Sequence, residues 1–271
     1  MDILSQIIET KKIRLGKAKS LKPLAEMRRE AESIRETAPQ HWFLTAVNDD
    51  SRVNIIAEFK RRSPSKGLIR HDADPVAIAK MYQSGGATAV SVLTEVDYFA
   101  GSLDDLRAAR EAVDLPILRK DFIFDEYQVY ESAAAGADAL LLIVAALDDD
   151  TLLRLRRITE DELGMDALVE VHTPKEMDRA VETRAKIIGV NNRNLSTFEV
   201  SLETSIQLAS RAPDGAVLIS ESGIESIVDI QRLRAIGYRG FLIGETLMRA
   251  DDPKELLAKF SLAQAFTPGK T

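Results

Sequence analysis

The sequence predicts a closed (β/α)8 barrel, a TIM barrel of the α/β class, with a helical extension at its N-terminal end. Three observations carry that prediction. From about Val53 onward, eight short aliphatic or β-branched runs alternate with stretches of helical period, the pattern of βαβ units around a parallel sheet. The stretches between the runs open on physical helix-start signals. The segments SGGATAVSVL (84–93), AAGADALLLI (134–143) and AIGYRGFLIG (235–244) repeat one module of helix end, glycine and strand. At 271 residues the chain has the length of such a barrel folded as one domain, since these reach about 250 residues as a single unit. Eight nearly all-apolar strands also fit closure better than an open doubly wound sheet.

In order, the predicted strands are VNIIAEF (53–59), TAVSVLT (88–94), PILRK (116–120), ALLLIV (139–144), ALVEV (167–171), IIGVN (187–191), AVLIS (216–220) and GFLIG (240–244). Asp74 before Pro75, Thr173 before Pro174 and Asp252 before Pro253 each give an N-cap followed by proline at the first helical position. Glu176, three residues after Thr173, completes a capping-box pattern. Gly86, Gly136 and Gly237 stand where left-handed C-caps belong, between a periodic segment and the next strand. Residues 1–50 read differently. Ile3, Ile7, Ile8 and Leu15 mark one face of an amphipathic helix, and 22–36 is rich in Lys, Arg and Glu. This extension is expected to cover the barrel bottom or flank; the competing expectation is that Trp42 and Phe43, or the helices, frame a substrate pocket.

Composition narrows the function. A hydrophobic share of 45% and a charged share of 29% are those of an ordinary soluble protein, and no apolar run approaches the ~20 residues that span a bilayer. The start MDILSQIIETKK lacks the basic, apolar and small-residue regions of a secretory signal, so a cytoplasmic location is expected. With no cysteine and only the scattered His41, His71 and His172, no metal centre is expected. A net charge of −7 argues against a nucleic-acid partner, which needs a basic surface. An anionic ligand must then be held by local groups.

In β/α barrels the chemistry sits at the carboxyl ends of the strands. The first run ends in Glu58 and Lys60, two apart and therefore on the same side of the strand. The second ends in Glu95, the third in Lys120, the fifth in Glu170, the sixth in Asn191 and Asn192, the seventh in Glu221 and the eighth in Glu245. Any one of these read alone is a charge meeting solvent. Together they would converge on one mouth, where burial and mutual charge shift their proton affinities. Ser222 and Gly223 follow the seventh run, and Gly244 and Glu245 close the eighth. These two loops bind phosphate in many barrels through backbone N–H groups, with Lys60 available as countercharge. The basic, turn-rich segment 60–67 reads equally as a closing lid or a plain solvated connection.

The motifs EFKRRSPSKG, SVLTEVDYFAGS, LRKDFI, LVEVH, GVNNRNL, ISESGI and IGETLM occur, in this order and at successive strand ends, as they do in indole-3-glycerol phosphate synthases. The chain resembles that family over nearly the whole barrel. The resemblance implies a monomeric or weakly associating barrel, free of cofactor and metal, that closes the indole ring of 1-(2-carboxyphenylamino)-1-deoxyribulose 5-phosphate with loss of carbon dioxide and water. It implies Lys120 as general acid and Glu170 as general base. Glu58 would orient Lys120 and hold a substrate hydroxyl, Asn191 would fix the substrate nearby, and Lys60, between the phosphate and the reacting centre, would bind substrate on the phosphate side and lend acid help. Gly223, Gly244 and the Glu245 backbone would hold the phosphate. Ser63 and Arg193 would meet the anthranilate carboxylate, Phe99 and Phe122 would wall its ring, and Glu221 and Ser222 would complete the substrate-binding set.

Two positions depart from the family pattern. Asn194 stands where many relatives have aspartate, and Glu245 where some have serine, which sets a carboxylate beside the phosphate. That carboxylate is expected to point away or to be compensated. A neighbouring reading, phosphoribosylanthranilate isomerase, shares the barrel and the phosphate grip, but its usual catalytic cysteine is missing here. A non-catalytic sugar-phosphate binder would leave Lys120 and Glu170 together without purpose.

Overall fold

A computed structural model describes residues 3–194 and 197–262. Eight parallel strands close into a barrel: β1 (Asn54–Phe59), β2 (Ala89–Leu93), β3 (Ile117–Lys120), β4 (Ala139–Ile143), β5 (Asp166–Val171), β6 (Ile187–Asn191), β7 (Val217–Glu221) and β8 (Tyr238–Ile243). Each pairs with its neighbour in sequence, and β8 returns to β1 through Ile55↔Phe241 and Ile56↔Leu242. The predicted runs agree with these strands to within two residues at every end.

The helices outside the barrel begin where the chain supplies caps. Asp74 accepts from the N–H groups of Val76 and Ala77 to start α4 (Pro75–Ser84), and Asp252 accepts from Glu255 to start α12 (Pro253–Ser261). Thr173 accepts from Glu176 N to start α8 (Pro174–Glu182). The second half of the predicted capping box is displaced. The Glu176 carboxylate reaches past Thr173 N to accept from the N–H of His172 at 2.8 Å, because the His172 ring Nδ1 stands 3.3 Å from the same oxygen. Gly86, Gly136 and Gly237 have φ of 89°, 85° and 104°, as C-cap glycines should.

Along each strand alternate residues turn inward, so the barrel fills in layers. The lower layers are apolar, with Ile56, Leu118, Leu141, Leu168, Ile187, Ile219 and Leu242 in one interior cluster. One step further toward the carboxyl ends the inward positions become Glu58, Lys120, Glu170, Asn191 and Glu221. The outward faces pack against α4, α5 (Leu103–Ala112), α6 (Glu126–Ala134), α7 (Asp149–Arg157), α9 (Glu203–Ala209) and α10 (Ile227–Arg234), with Phe59, Leu106, Ile123 and Phe241 among the buried side chains.

The extension forms α1 (Ile3–Leu21), α2 (Leu24–Arg35) and α3 (Trp42–Val47), which do different things. The short α3 closes the bottom: Phe43 and Val47 are fully buried in the interior cluster, Leu44 N donates to Asp166 at 2.8 Å, and Trp42 lies under the Arg110 guanidinium. The flank is covered by α2, which packs on α6. Covering the bottom and flank is therefore true of α2 and α3, and Trp42 and Phe43 lie at the end of the barrel opposite the mouth. It is not true of α1, whose first turns reach the mouth, with Ile3, Leu4 and Ile7 against the central cavity. Lys11 paired with Asp121 at 2.6 Å, and Arg14 held in a fork by Asp97, pin α1 there. None of the described helices is long and apolar enough to cross a membrane.

Because Phe43 fills the barrel floor with no exposed surface, Phe43→Ala is expected to destabilise the fold by about 3–5 kcal/mol. Urea unfolding followed by circular dichroism reads this, and an unchanged midpoint would show that α3 is not the plug.

Candidate active site

The barrel mouth opens into a cavity of about 750 Å³. Every site residue named from the sequence lines it: Glu58, Lys60, Ser63, Phe99, Lys120, Phe122, Glu170, Asn191, Arg193, Glu221, Ser222, Gly223, Gly244 and Glu245. The floor is Leu141, Ile143 and Leu242. Two strand-end residues turn elsewhere. Glu95 accepts from the N–H groups of Asp97, Tyr98 and Phe99 and so shapes the loop that presents Phe99. Asn192 faces outward, donating to Ser220 Oγ and Ser222 O and accepting from Ser205 N.

At the centre stands Lys120. Its Nζ is 2.9 Å from Glu170 Oε2 and 3.1 Å from Glu221 Oε2, and the side chain is almost wholly buried. Burial alone would push the ammonium down, but Glu170, Glu221 and Glu58 outweigh it and hold Lys120 above the ordinary lysine range, so it is charged. Glu58 is otherwise engaged. Its Oε1 accepts from Lys60 Nζ at 2.5 Å, so the groups that touch Lys120 are Glu170 and Glu221, and Glu58 acts on it by charge through space. This departs from the expectation that Glu58 orients Lys120; Lys60, two residues on and on the same side, captures the carboxylate first.

The two carboxylates beside Lys120 are driven apart. Burial raises Glu170, but Lys120, His172 and hydrogen bonds from Lys120 and Asn191 more than offset that, leaving it below the ordinary glutamate range and ionised. Glu221 is pushed up to about 7, chiefly by burial and further by Glu170 and Glu58, with Lys120 only partly opposing. Neither Glu221 oxygen makes a well-aligned hydrogen bond among the described residues. A buried carboxyl with open valences is a group prepared for a ligand. Gly189 makes the room: a Cβ there would lie 2.1 Å from Glu221 Oε1.

Around this centre the walls are specialised. Phe99 and Phe122 are packed against each other, tilted at 41° with centroids 6.1 Å apart, and together form an apolar wall of the cavity. Asn191 Oδ1 accepts from Arg193 N, and Arg193 Nη1 donates to Ser65 Oγ. The segment after β1 is a short antiparallel hairpin, Arg62–Ser63 against Gly67–Leu68, which places Ser63, Pro64, Ser65 and Lys66 over the cavity. Its root is tied down by a forked Arg61–Asp105 pair. On the far side, Thr246 Oγ1 donates to Ile224 O and links the loop after β7 to the short α11 (Glu245–Arg249). Gly244 permits close approach, since a Cβ there would stand 2.3 Å from Glu58 Oε1 and 3.0 Å from Lys60 Nζ. The Glu245 carboxylate is compensated: Arg249 lies 3.2 Å away, and Lys66 and Arg193 each 3.7 Å away.

Ile3, Leu4 and Ile7 of α1 fit the competing expectation that the helices frame the pocket, and Lys66 comes from the segment read as lid or connection; Phe198 and Val200 of the loop after β6, and Arg249, were not foreseen. Amphipathicity identified the buried face of α1 without showing what it would meet. Also missed was His172, whose Nε2 stands 3.4 Å from Glu170 Oε1.

A buried ammonium between two carboxyl groups, above an apolar floor at the carboxyl ends of eight strands, places the site where (β/α)8-barrel enzymes carry their chemistry. Comparison narrows the class. The chain belongs to the indole-3-glycerol phosphate synthase family, whose profile matches residues 4–260. It is 48% identical over 258 residues to the indole-3-glycerol phosphate synthase of Laribacter hongkongensis, covering 95% of this chain and 98% of that one. It is 46% identical over 264 residues to the protein of the same name from Chromobacterium violaceum, covering 97% and 99%. Among solved structures, thiamine phosphate pyrophosphorylase from Pyrococcus furiosus superposes with a TM-score of 0.59 at 15% identity, over 78% of this chain and 95% of that one. Streptococcus mutans KGPDC superposes with a TM-score of 0.58 at 13% identity, over 78% and 97%. At those identities the likeness is one of fold alone.

Proposed function

We propose that the chain is a decarboxylating carbon–carbon lyase that converts 1-(2-carboxyphenylamino)-1-deoxyribulose 5-phosphate to indole-3-glycerol phosphate, carbon dioxide and water. The observation that carries the reading is the Lys120 ammonium, 2.9 Å from an ionised Glu170 and facing the same cavity as the loops of Gly223 and Gly244.

The substrate lies with its phosphate toward Gly223, Gly244 and the Glu245 backbone, where Lys60 supplies countercharge and Glu245 is turned to its three cations. The anthranilate ring lies against the apolar wall of Phe99 and Phe122, and Ser63 and Arg193 meet its carboxylate. The ring carbon bearing the carboxylate then attacks the ketone carbon, and the new C–C bond forms as the carbonyl π pair moves to oxygen. That oxygen takes a proton from Lys120, whose charge also stabilises it as it develops. The C–CO2 bond breaks and its electron pair restores the aromatic ring. The new hydroxyl leaves as water, taking a second proton from Lys60, while Glu170 removes a proton from the CH2 carbon next to nitrogen to complete the indole. Glu221, near 7, carries a proton for much of the time at neutral pH and can both donate to and accept from a substrate hydroxyl.

Incubation with this carboxyphenylamino-deoxyribulose phosphate is expected to produce the indole chromophore in step with carbon dioxide. A folded protein that leaves this substrate untouched and isomerises phosphoribosylanthranilate instead would overturn the reading.

A further inference from the structure

His172 has no part in the proposed steps, although it lies largely buried beside the base. We propose that His172 is a positioning residue for Glu170: anchored by Glu176 of α8, its ring backs the carboxylate on the side away from Lys120 and fixes the direction in which Glu170 faces the substrate. The proposal rests on the reading of Glu170 as the base.

The geometry is a chain of three side chains. Glu176 Oε2 accepts from His172 N at 2.8 Å and lies 3.3 Å from His172 Nδ1, so one carboxylate fixes both the backbone and the ring. The anchor is itself held, since Glu176 Oε1 accepts from Thr173 Oγ1 at 3.1 Å. With Nδ1 turned to Glu176, Nε2 points at Glu170 Oε1, 3.4 Å away, while Glu170 Oε2 is held by Lys120. Nε2 is buried and has no aligned hydrogen-bond partner among the described residues. A ring nitrogen this close to a carboxylate oxygen donates to it when the ring is protonated, and is poised to tighten onto it once substrate fixes the other groups, as catalytic hydrogen bonds in ligand-free enzymes commonly do. The displaced capping box of α8 has the same explanation: Glu176 gives up the Thr173 N–H to hold His172.

Charge adds to alignment. The groups facing His172 are Glu170 from its own strand, Glu176 from α8 and Glu221 from β7. On its outer side a second crevice carries Arg193 and Glu199 from the loop after β6, while α1 contributes the uncharged Leu4, Ser5 and Ile8. Burial pushes the imidazole down, but Glu176, Glu170 and Glu221 together bring it above the ordinary histidine range. A cationic ring beside Glu170 lowers the pH at which that carboxylate takes up a proton. Replacing the ring with a neutral group raises that pH, and the acidic limb of the kcat profile moves up with it.

The test is a pH profile of kcat and KM for His172→Gln and for Glu176→Gln, which keeps the helix cap but removes the anchor's charge, with Glu170→Gln measured in parallel. For His172→Gln we expect kcat about ten-fold lower, KM within about two-fold, and the acidic limb displaced upward by about one pH unit. Glu176→Gln should move the limb in the same direction by less. A limb that stays in place in both variants, or a rise in KM at constant kcat, overturns the positioning role while leaving Glu170 as base. If Glu170→Gln itself retains kcat, the assignment of the base fails and the proposal fails with it.

Discussion

Lys120→Met is expected to lower kcat on the order of 10⁴-fold while the far-UV circular dichroism spectrum stays that of the parent. Methionine fills nearly the same volume but offers neither a proton nor a charge, so both general-acid catalysis and stabilisation of the developing oxyanion are lost. There is a second consequence. Glu58, Glu170 and Glu221 share one mouth, and Lys120 is the cation that Glu170 and Glu221 both touch. Without it, desolvation and mutual repulsion favour the protonated carboxyls, so Glu170 takes up a proton and ceases to be a base at neutral pH. The same protonation removes the repulsion that would otherwise open the barrel, which is why the fold is expected to survive. Turnover within ten-fold of the parent would remove Lys120 as the essential acid.

The barrel and the identity of the mouth residues were legible because both rest on period-two alternation. In Ile56–Glu58, Leu118–Lys120 and Leu168–Glu170, an apolar inward residue is followed two positions on by a charged one, so strand, face and end are given together. Which carboxylate would meet Lys120 was not legible. That depends on the stagger between neighbouring strands, which sets Leu93 beside Lys120, Ile143 beside Glu170 and Asn191 beside Glu221, and no single strand contains that information. The space for Glu221 depends on Gly189, which in a sequence is only a glycine inside an aliphatic run. Likewise α1 was readable as amphipathic, but its seat at the mouth is decided by Lys11–Asp121 and Arg14–Asp97, pairs between segments far apart in the chain. The capping pattern at Thr173 misled for a related reason: local spacing proposes partners, and His172 offered Glu176 a better one. For α3 the expected seat at the bottom is the observed one: Phe43 is buried in the floor, and Trp42 lies half-buried beneath Arg110.

Glu170→Gln is expected to lower kcat by about 10²–10³-fold with KM nearly unchanged, because the amide keeps the shape of the side chain but cannot take a proton from the substrate. The more telling measurement is the double variant with Lys120→Met. Were the acid and base independent, their losses would multiply, to roughly 10⁶–10⁷-fold. They are not independent. With Nζ and Oε2 only 2.9 Å apart in a buried site, Lys120 is the cation that does most to keep Glu170 a carboxylate, while Glu170 is one of three carboxyl groups that keep Lys120 an ammonium. Removal of Lys120 therefore disables Glu170 as well, so the double variant should lie within about ten-fold of Lys120→Met. Single-turnover indole fluorescence at high enzyme concentration has the range to separate these outcomes. Losses that multiply would mean that Lys120 and Glu170 act as separate groups that merely share a mouth, and that the ionised state of Glu170 is maintained by something other than its partner.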